Sequence, residues 1–106
     1  MKKRQPPRLG KTDANARKDA AAALAIAALG FIAGEPEQLG RFLALSGIGP
    51  DSLRAAAREP NFLLGVLDHV AGDEALLIAF AHEQGINPPA VAQARDALAG
   101  EPPEVP

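Results

Sequence analysis

A short turn near the middle of the chain, Gly47-Ile48-Gly49-Pro50, constrains the fold more than any other sequence feature. Glycine most easily adopts the left-handed backbone conformation just past a helix C-terminus. Proline is favoured at the first position of a helix, where its missing N–H would have had no intrahelical partner. The turn therefore predicts a helix that ends at Gly47, an apolar Ile48 that packs on the core, and a second helix that begins at Pro50.

Similar start and stop signals divide the rest of the chain. Asp13 or Asn15 is expected to cap the first helix, Asp73 to cap a later one, and Asn87-Pro88 to open the last. Gly34, Gly72, Gly85 and Gly100 are predicted stop signals, and Pro36 is a predicted start. Glu59-Pro60 is predicted to break the chain, because proline disfavours a helical conformation at the residue before it. The helices are predicted over 13–33, 36–46, 50–58, 61–71, 74–84 and 88–99.

The composition favours closely packed helices and no strands. Alanine, the strongest helix former, contributes 23 of the 106 residues, whereas Phe occurs four times and Trp, Tyr and Cys are absent. The segment Leu76–Ala81 is apolar nearly all round, so we expect it to form the centre of the core. The predicted fold is all-α, a compact orthogonal bundle of five to six short helices with a flexible basic N-terminal arm.

The net charge of −2 is distributed very unevenly along the chain. Residues 1–19 carry seven Lys or Arg against two Asp, whereas the remaining residues carry four Arg against eleven acids. A basic segment joined to an acidic body is typical of an interaction tail, although such segments are also common as plain solubilising termini. We divide the chain into a flexible basic arm (1–12), a single helical domain (13–100) and a disordered tail (101–106).

The apolar run from Ala20 to Ala33 is fourteen residues long. A helix needs about twenty apolar residues to span a bilayer, so this run is too short. A cleaved secretory signal peptide is an alternative, because a basic segment precedes this run. Against it, Asp13 and Asp19 lie in the leading segment, and cleavage near Gly34 would remove a whole helix. We therefore expect a soluble cytoplasmic protein without a membrane contact.

The inventory of catalytic side chains is poor. Ser46 and Ser52 occupy positions typical of turn and capping residues. His69 and His82 lie on different helices, each at a polar margin, and a metal site would require both to converge with an acid such as Asp73. No nucleotide-binding loop or catalytic triad order is present. We expect no enzyme activity, no cofactor and no metal site.

The Gly-Ile-Gly-Pro turn also resembles the helix-hairpin-helix element of many DNA-binding proteins. In that element the glycines let backbone N–H groups approach a phosphate, and the second helix adds a partial positive charge at its N-terminus. The resemblance implies contacts from Gly47, Gly49 and Arg54, to which the arm would add charge. An ordinary helix–helix corner is the alternative. The candidate nucleic-acid contacts are Gly47, Gly49, Arg54, Lys2, Lys3 and Arg4.

Several short segments between residues 20 and 99 are distinctive in combination. They are an alanine-rich first helix, Leu39, Arg41-Phe42-Leu43-Ala44-Leu45, Gly47-Ile48, Pro50, Leu53-Arg54, Pro60-Asn61-Phe62-Leu63, Val66-Leu67-Asp68-His69, Asp73-Glu74 and Phe80-Ala81. Their order resembles a family of small bacterial proteins known as domain of unknown function 3572. The resemblance implies an all-helical fold and, because the family has no assigned activity, no functional residues.

These observations favour a non-enzymatic protein–protein interaction module with an unidentified protein partner. A groove between helices, or the basic arm, would provide the contact. The alternative is a weak, non-specific nucleic-acid-backbone binder that uses the turn and the arm. The sequence leaves the oligomeric state open.

Overall fold

Six α-helices and one 3-10 turn follow one another through residues 11–100, the part of the chain that the computed structural model describes, with side chains described for residues 15–100. This part contains no strand, which confirms the predicted all-α class. The α-helices are α1 (Lys11–Ala33), α2 (Pro36–Ser46), α3 (Leu53–Ala56), α4 (Pro60–Ala71), α5 (Glu74–Gln84) and α6 (Pro89–Ala99), and the 3-10 turn is Pro50–Ser52.

Two helices end at glycines in the left-handed conformation, as predicted. Gly47 has φ +74° and donates its N–H to the carbonyl of Leu43 at 2.9 Å. Gly85 has φ +69°, and the next residue, Ile86, donates to the carbonyl of Ala81 at 3.0 Å. This second arrangement satisfies the last carbonyls of α5 and places an apolar side chain against the core.

The predicted starts of the central helices are confirmed at Pro36 and Asp73. Pro36 begins α2, and Asp73 caps α5 by accepting a hydrogen bond from the Leu76 N–H at 3.1 Å. Two other predictions are wrong. Pro50 begins a 3-10 turn of three residues followed by the four-residue α3, rather than one helix over 50–58. The last helix begins at Pro89, one residue later than Pro88.

The first helix is already helical at Lys11, the first described residue. Asp13 and Asn15 therefore lie within the helix, and the prediction that one of them caps it is wrong. The same observation moves the predicted arm boundary, because Lys11 and Thr12 are helical. The predicted flexibility of the first ten residues and disorder of the tail, 101–106, lie outside the described residues.

The core lies where α1, α4 and α6 pack against one another. Val66, Leu67 and Val70 of α4 are completely buried, because they lie on the face of α4 that is enclosed by its neighbours. Alanines on α1 keep the helices close, since their side chains occupy little space. The buried cluster comprises Ala25, Ala28, Leu29, Ile32, Phe42, Leu63, Val66, Leu67, Val70, Leu76, Phe80 and Val91.

The expectation that α5 forms the centre of the core is wrong. Phe80 is completely buried and contacts Phe31 of α1 with ring centroids 5.5 Å apart. Ile78, two residues earlier, is 52 % exposed, and Ala79 is exposed as well. α5 therefore covers one edge of the bundle with a single face, and its apolar outer face remains accessible.

The chain bends by 118° between α1 and α2, which are joined by a connection of two residues. This bend carries α2 across the bundle, where Phe42 is buried in the core cluster. Taken singly, none of the helices in the described part of the chain is long and apolar enough to span a membrane; α1 and α2 reach that length only as a bent pair.

Candidate functional site

A cavity of about 310 Å³ lies between the end of α2, the Gly47–Pro50 turn and the first half of α4. We call it the corner cavity. Its lining is mainly apolar and aromatic, and Ile48 of the turn contributes one wall. The residues that define it are Phe42, Leu45, Ile48, Asn61, Phe62 and His69.

Three rings form the inner wall of this cavity, and we call them the aromatic cluster: Phe62, Phe42 and His69. Phe42 meets Phe62 edge-to-face at a centroid distance of 5.7 Å and meets His69 edge-to-face at 5.1 Å. Phe62 and His69 are two helical turns apart on α4, so they face α2 together. Edge-to-face pairs of this kind contribute about 0.5–1.5 kcal/mol each beyond burial, so they stabilise the packing of α2 on α4.

His69 is the most unusual polar side chain of the site. Its Nε2 atom is buried and has no hydrogen-bond partner among the described residues, although most buried polar atoms in proteins have one. Burial lowers the pKa of His69 below its ordinary value of 6.5, and the positive charge of Arg41 lowers it further. The negative charge of Asp73 acts in the opposite direction and is the smallest of the three influences on this pKa.

A second cavity, about 500 Å³, adjoins the first on the side of α5. Leu45 and His69 line both cavities, so they form the boundary between them. We call the second the acidic cavity, because three carboxylates and one guanidinium surround it. Its defining residues are Arg41, Leu45, Asp68, His69, Asp73 and Glu74.

Two of these carboxylates already have partners within the protein. Asp68 accepts a hydrogen bond from Arg95 of α6 at 3.0 Å, and Asp73 caps α5. Both groups retain further acceptor capacity, since an ionised carboxylate has about four lone-pair sites. The lining therefore carries an excess of negative charge that a cation from outside can reach.

Leu45 is the most exposed of the large apolar side chains in the described part of the chain, at 72 %. It follows Phe42 by three residues on α2, so it stands at the rim of the cavity that Phe42 walls from inside. Leu45 is thus continuous with the apolar lining of the corner cavity, which makes it a candidate contact residue.

Three of the candidate nucleic-acid contacts, Gly47, Gly49 and Arg54, lie within the described residues. The N–H of Gly47 already donates to Leu43, and the next N–H, of Ile48, donates to Ser46 Oγ at 3.3 Å. Gly49 has extended backbone, and the element after it has only seven helical residues, which gives a weak dipole. Arg54 lines a different depression, of about 430 Å³, beside α1. Lys2, Lys3 and Arg4 lie outside the described residues.

Ser46 has the turn role that its position predicts, because its hydroxyl also donates to the Leu43 carbonyl at 3.3 Å. The two histidines differ: His82 is exposed, whereas His69 is half-buried in the aromatic cluster. Within residues 15–100, no group of three or more His, Asp or Glu side chains is arranged to hold a metal ion.

The corner cavity was not predicted from the sequence, and His69 was expected only at the polar margin of its helix. A signal was available, since Phe62 and His69 are seven residues apart and thus share a helix face. Residues 18–101, which include both cavities, match the family model described as a protein of unknown function, DUF3572.

The chain belongs to the DUF3572 family. The expected family resemblance is therefore confirmed, and both sides of the corner cavity lie inside the part of the chain that defines a DUF3572 protein. Among curated proteins and among solved structures, no significant match to this DUF3572 chain is found. The site must accordingly be interpreted from its own geometry.

Proposed function

We propose that this DUF3572 protein is a protein–protein interaction module that docks a segment of a partner protein in the corner cavity. The observation that carries the proposal is the position of Leu45, 72 % exposed at the rim of a cavity walled by the aromatic cluster. Interfaces obtain most of their binding energy from a few apolar or aromatic anchors in such pockets.

The size of the cavity favours a single anchoring side chain. Its volume of about 310 Å³ lies at the lower end of the range that small-molecule sites occupy, about 300–1,000 Å³. A large apolar side chain would contact Phe42, Phe62 and Ile48 and would cover Leu45 from water. This burial would supply affinity at about 25 cal/mol per Å² of apolar surface.

The charge of the acidic cavity favours a basic residue next to the apolar anchor of the partner segment. Three carboxylates lie around the acidic cavity, against the guanidinium groups of Arg41 and of Arg95, the ion-pair partner of Asp68, so one negative charge is in excess. The acidic cavity adjoins the corner cavity at Leu45 and His69. A Lys or Arg placed one helical turn from the anchor would complement these carboxylates. We therefore expect the partner segment to combine an apolar anchor with a nearby basic residue.

The experiment is a selection of random twelve-residue peptides on the immobilised full-length protein. Enriched peptides are expected to combine a large apolar residue with Lys or Arg, and to lose binding to Leu45→Glu. Ile26→Glu and Ile78→Glu are matched controls, because these isoleucines are also exposed, at 51 % and 52 %. Acidic peptides, or peptides that still bind Leu45→Glu, would overturn the proposal.

Nucleic-acid binding remains an alternative proposal of a different class. Gly47 would have to break its hydrogen bond to Leu43 before its N–H reached a phosphate, and Arg54 lies in another depression. The alternative therefore gains no support from the corner. It predicts binding to a short DNA duplex that weakens steeply with salt and is lost in Gly49→Asp.

A further inference from the structure

The position of His69 would make ligand binding in the corner cavity depend on pH. Its imidazole forms part of the cavity wall, and its Nε2 atom is already buried without a hydrogen-bond partner among the described residues. A neutral ring tolerates this environment at a moderate cost. An imidazolium in the same place would bury a charged N–H without a partner, which costs far more.

The charged groups around His69 come from three helices and one turn. Arg41 faces it from α2, Asp68 lies one residue before it on α4, Asp73 lies in the α4–α5 turn and Glu74 begins α5. Burial has the largest influence on the pKa of His69 and lowers it; Arg41 lowers it further, and Asp73 raises it. The surroundings of the ring therefore favour its neutral form.

A docked anchor would increase this preference. The anchor would occupy the corner cavity and would exclude water from the side of the His69 ring that faces it. Desolvation of a histidine disfavours its charged form. The carboxylate that opposes this effect, Asp73, is engaged in capping α5 and lies in the other cavity.

We propose that occupation of the corner cavity by an apolar anchor and protonation of His69 exclude each other, so that the protein releases its partner in mild acid. The inference rests on the proposed docking function and adds its regulation. Thermodynamic linkage makes the effect reciprocal: acid weakens docking, and docking makes His69 harder to protonate.

The test is a titration of the full-length protein with indole, which serves as an analogue of the anchor. Binding is measured from the amide chemical shifts of Phe42, Ile48 and His69 at several pH values between 8 and 5. The affinity for indole is expected to be constant near pH 8 and to fall by about tenfold per pH unit below the pKa of His69. His69→Gln, which is neutral throughout, is expected to bind indole equally at both ends. His82→Gln, altered at an exposed histidine, is expected to follow the wild type.

A second readout is the titration of the His69 ring protons with and without saturating indole, where bound indole is expected to lower the pKa. Equal affinities for indole at pH 5 and pH 8 in the wild type would overturn this inference but would not contradict the proposed docking site. An increase in this pKa on binding would have the same consequence. No indole-induced shift around the corner cavity at any pH would overturn both the inference and the docking site.

Discussion

The rings of His69 and Phe42 meet edge-to-face at a centroid distance of 5.1 Å and an interplanar angle of 77°. This contact joins α4 to α2 beside the Gly47–Pro50 turn and fixes one wall of the corner cavity. Burial disfavours the charged form of a histidine that packs against an aromatic ring in this way. His69 should therefore contribute to the pH dependence of the protein's stability.

The first prediction concerns stability in acid. The folded-state pKa of His69 is lowered, mainly by burial, below the 6.5 of an unfolded chain. Between these two pKa values the unfolded state binds more protons, so the free energy of unfolding decreases as the pH falls from about 6.5. Urea denaturation of the wild type and of His69→Gln at pH 8, 6 and 5 checks this. The wild type should lose more stability than the variant; equal losses would contradict the assignment.

The second prediction separates two roles of Asp73. Asp73→Ala removes the side chain that accepts the Leu76 N–H and should cost about 1 kcal/mol of unfolding free energy. Asp73→Asn keeps a capping side chain but removes the negative charge, so it should lower the pKa of His69 with little loss of stability. Denaturation and a ring-proton titration measure the two effects. A large stability loss in Asp73→Asn would argue against capping as the main role.

The third prediction compares neighbouring residues of α5. Phe80→Ala empties a completely buried position that contacts Phe31, and should cost about 3–5 kcal/mol. Ile78→Ala, at a position that is 52 % exposed, should change the unfolding free energy by about 0.5 kcal/mol or less. Thermal or urea unfolding checks both. Similar losses for the two variants would mean that α5 is buried on both faces.

The fourth prediction concerns the two glycines of the turn. Gly47 has φ +74°, which costs an L residue about 1–2 kcal/mol, so Gly47→Ala should destabilise the protein. Gly49 has φ −81°, and an added Cβ would meet no atom within 4 Å. Gly49→Ala should therefore be neutral, or stabilising by up to about 1 kcal/mol. The opposite order of unfolding free energies would contradict the turn geometry.

Local signals predicted most of the helix boundaries, because a boundary depends on a few adjacent residues. Gly47 and Gly85 stop helices by their left-handed backbone, and Asp73 starts one by its side chain. The prediction failed for Pro50, since a proline start fixes the first turn but not the length of the helix. It failed at Pro88 because two successive prolines offered alternative starting positions.

Tertiary features were less accessible from the sequence. Leu76–Ala81 contains apolar residues on all sides, so the pattern could not show that Phe80 faces α1 while Ile78 faces outward. The corner cavity depends on how far α2 turns from α1, an angle of 118° that no residue specifies by itself. The contact between Phe42 and His69 follows from that angle.

The exposed Leu45 at the rim of the corner cavity provides the most direct test of the docking account. The measurement is the dissociation constant of a peptide selected on the wild type, determined for the wild type, Leu45→Glu and Ile78→Glu. We predict a loss of about thirtyfold or more in Leu45→Glu, as for an interface hot spot, and less than about twofold in Ile78→Glu. Equal affinities for the two variants would contradict the account.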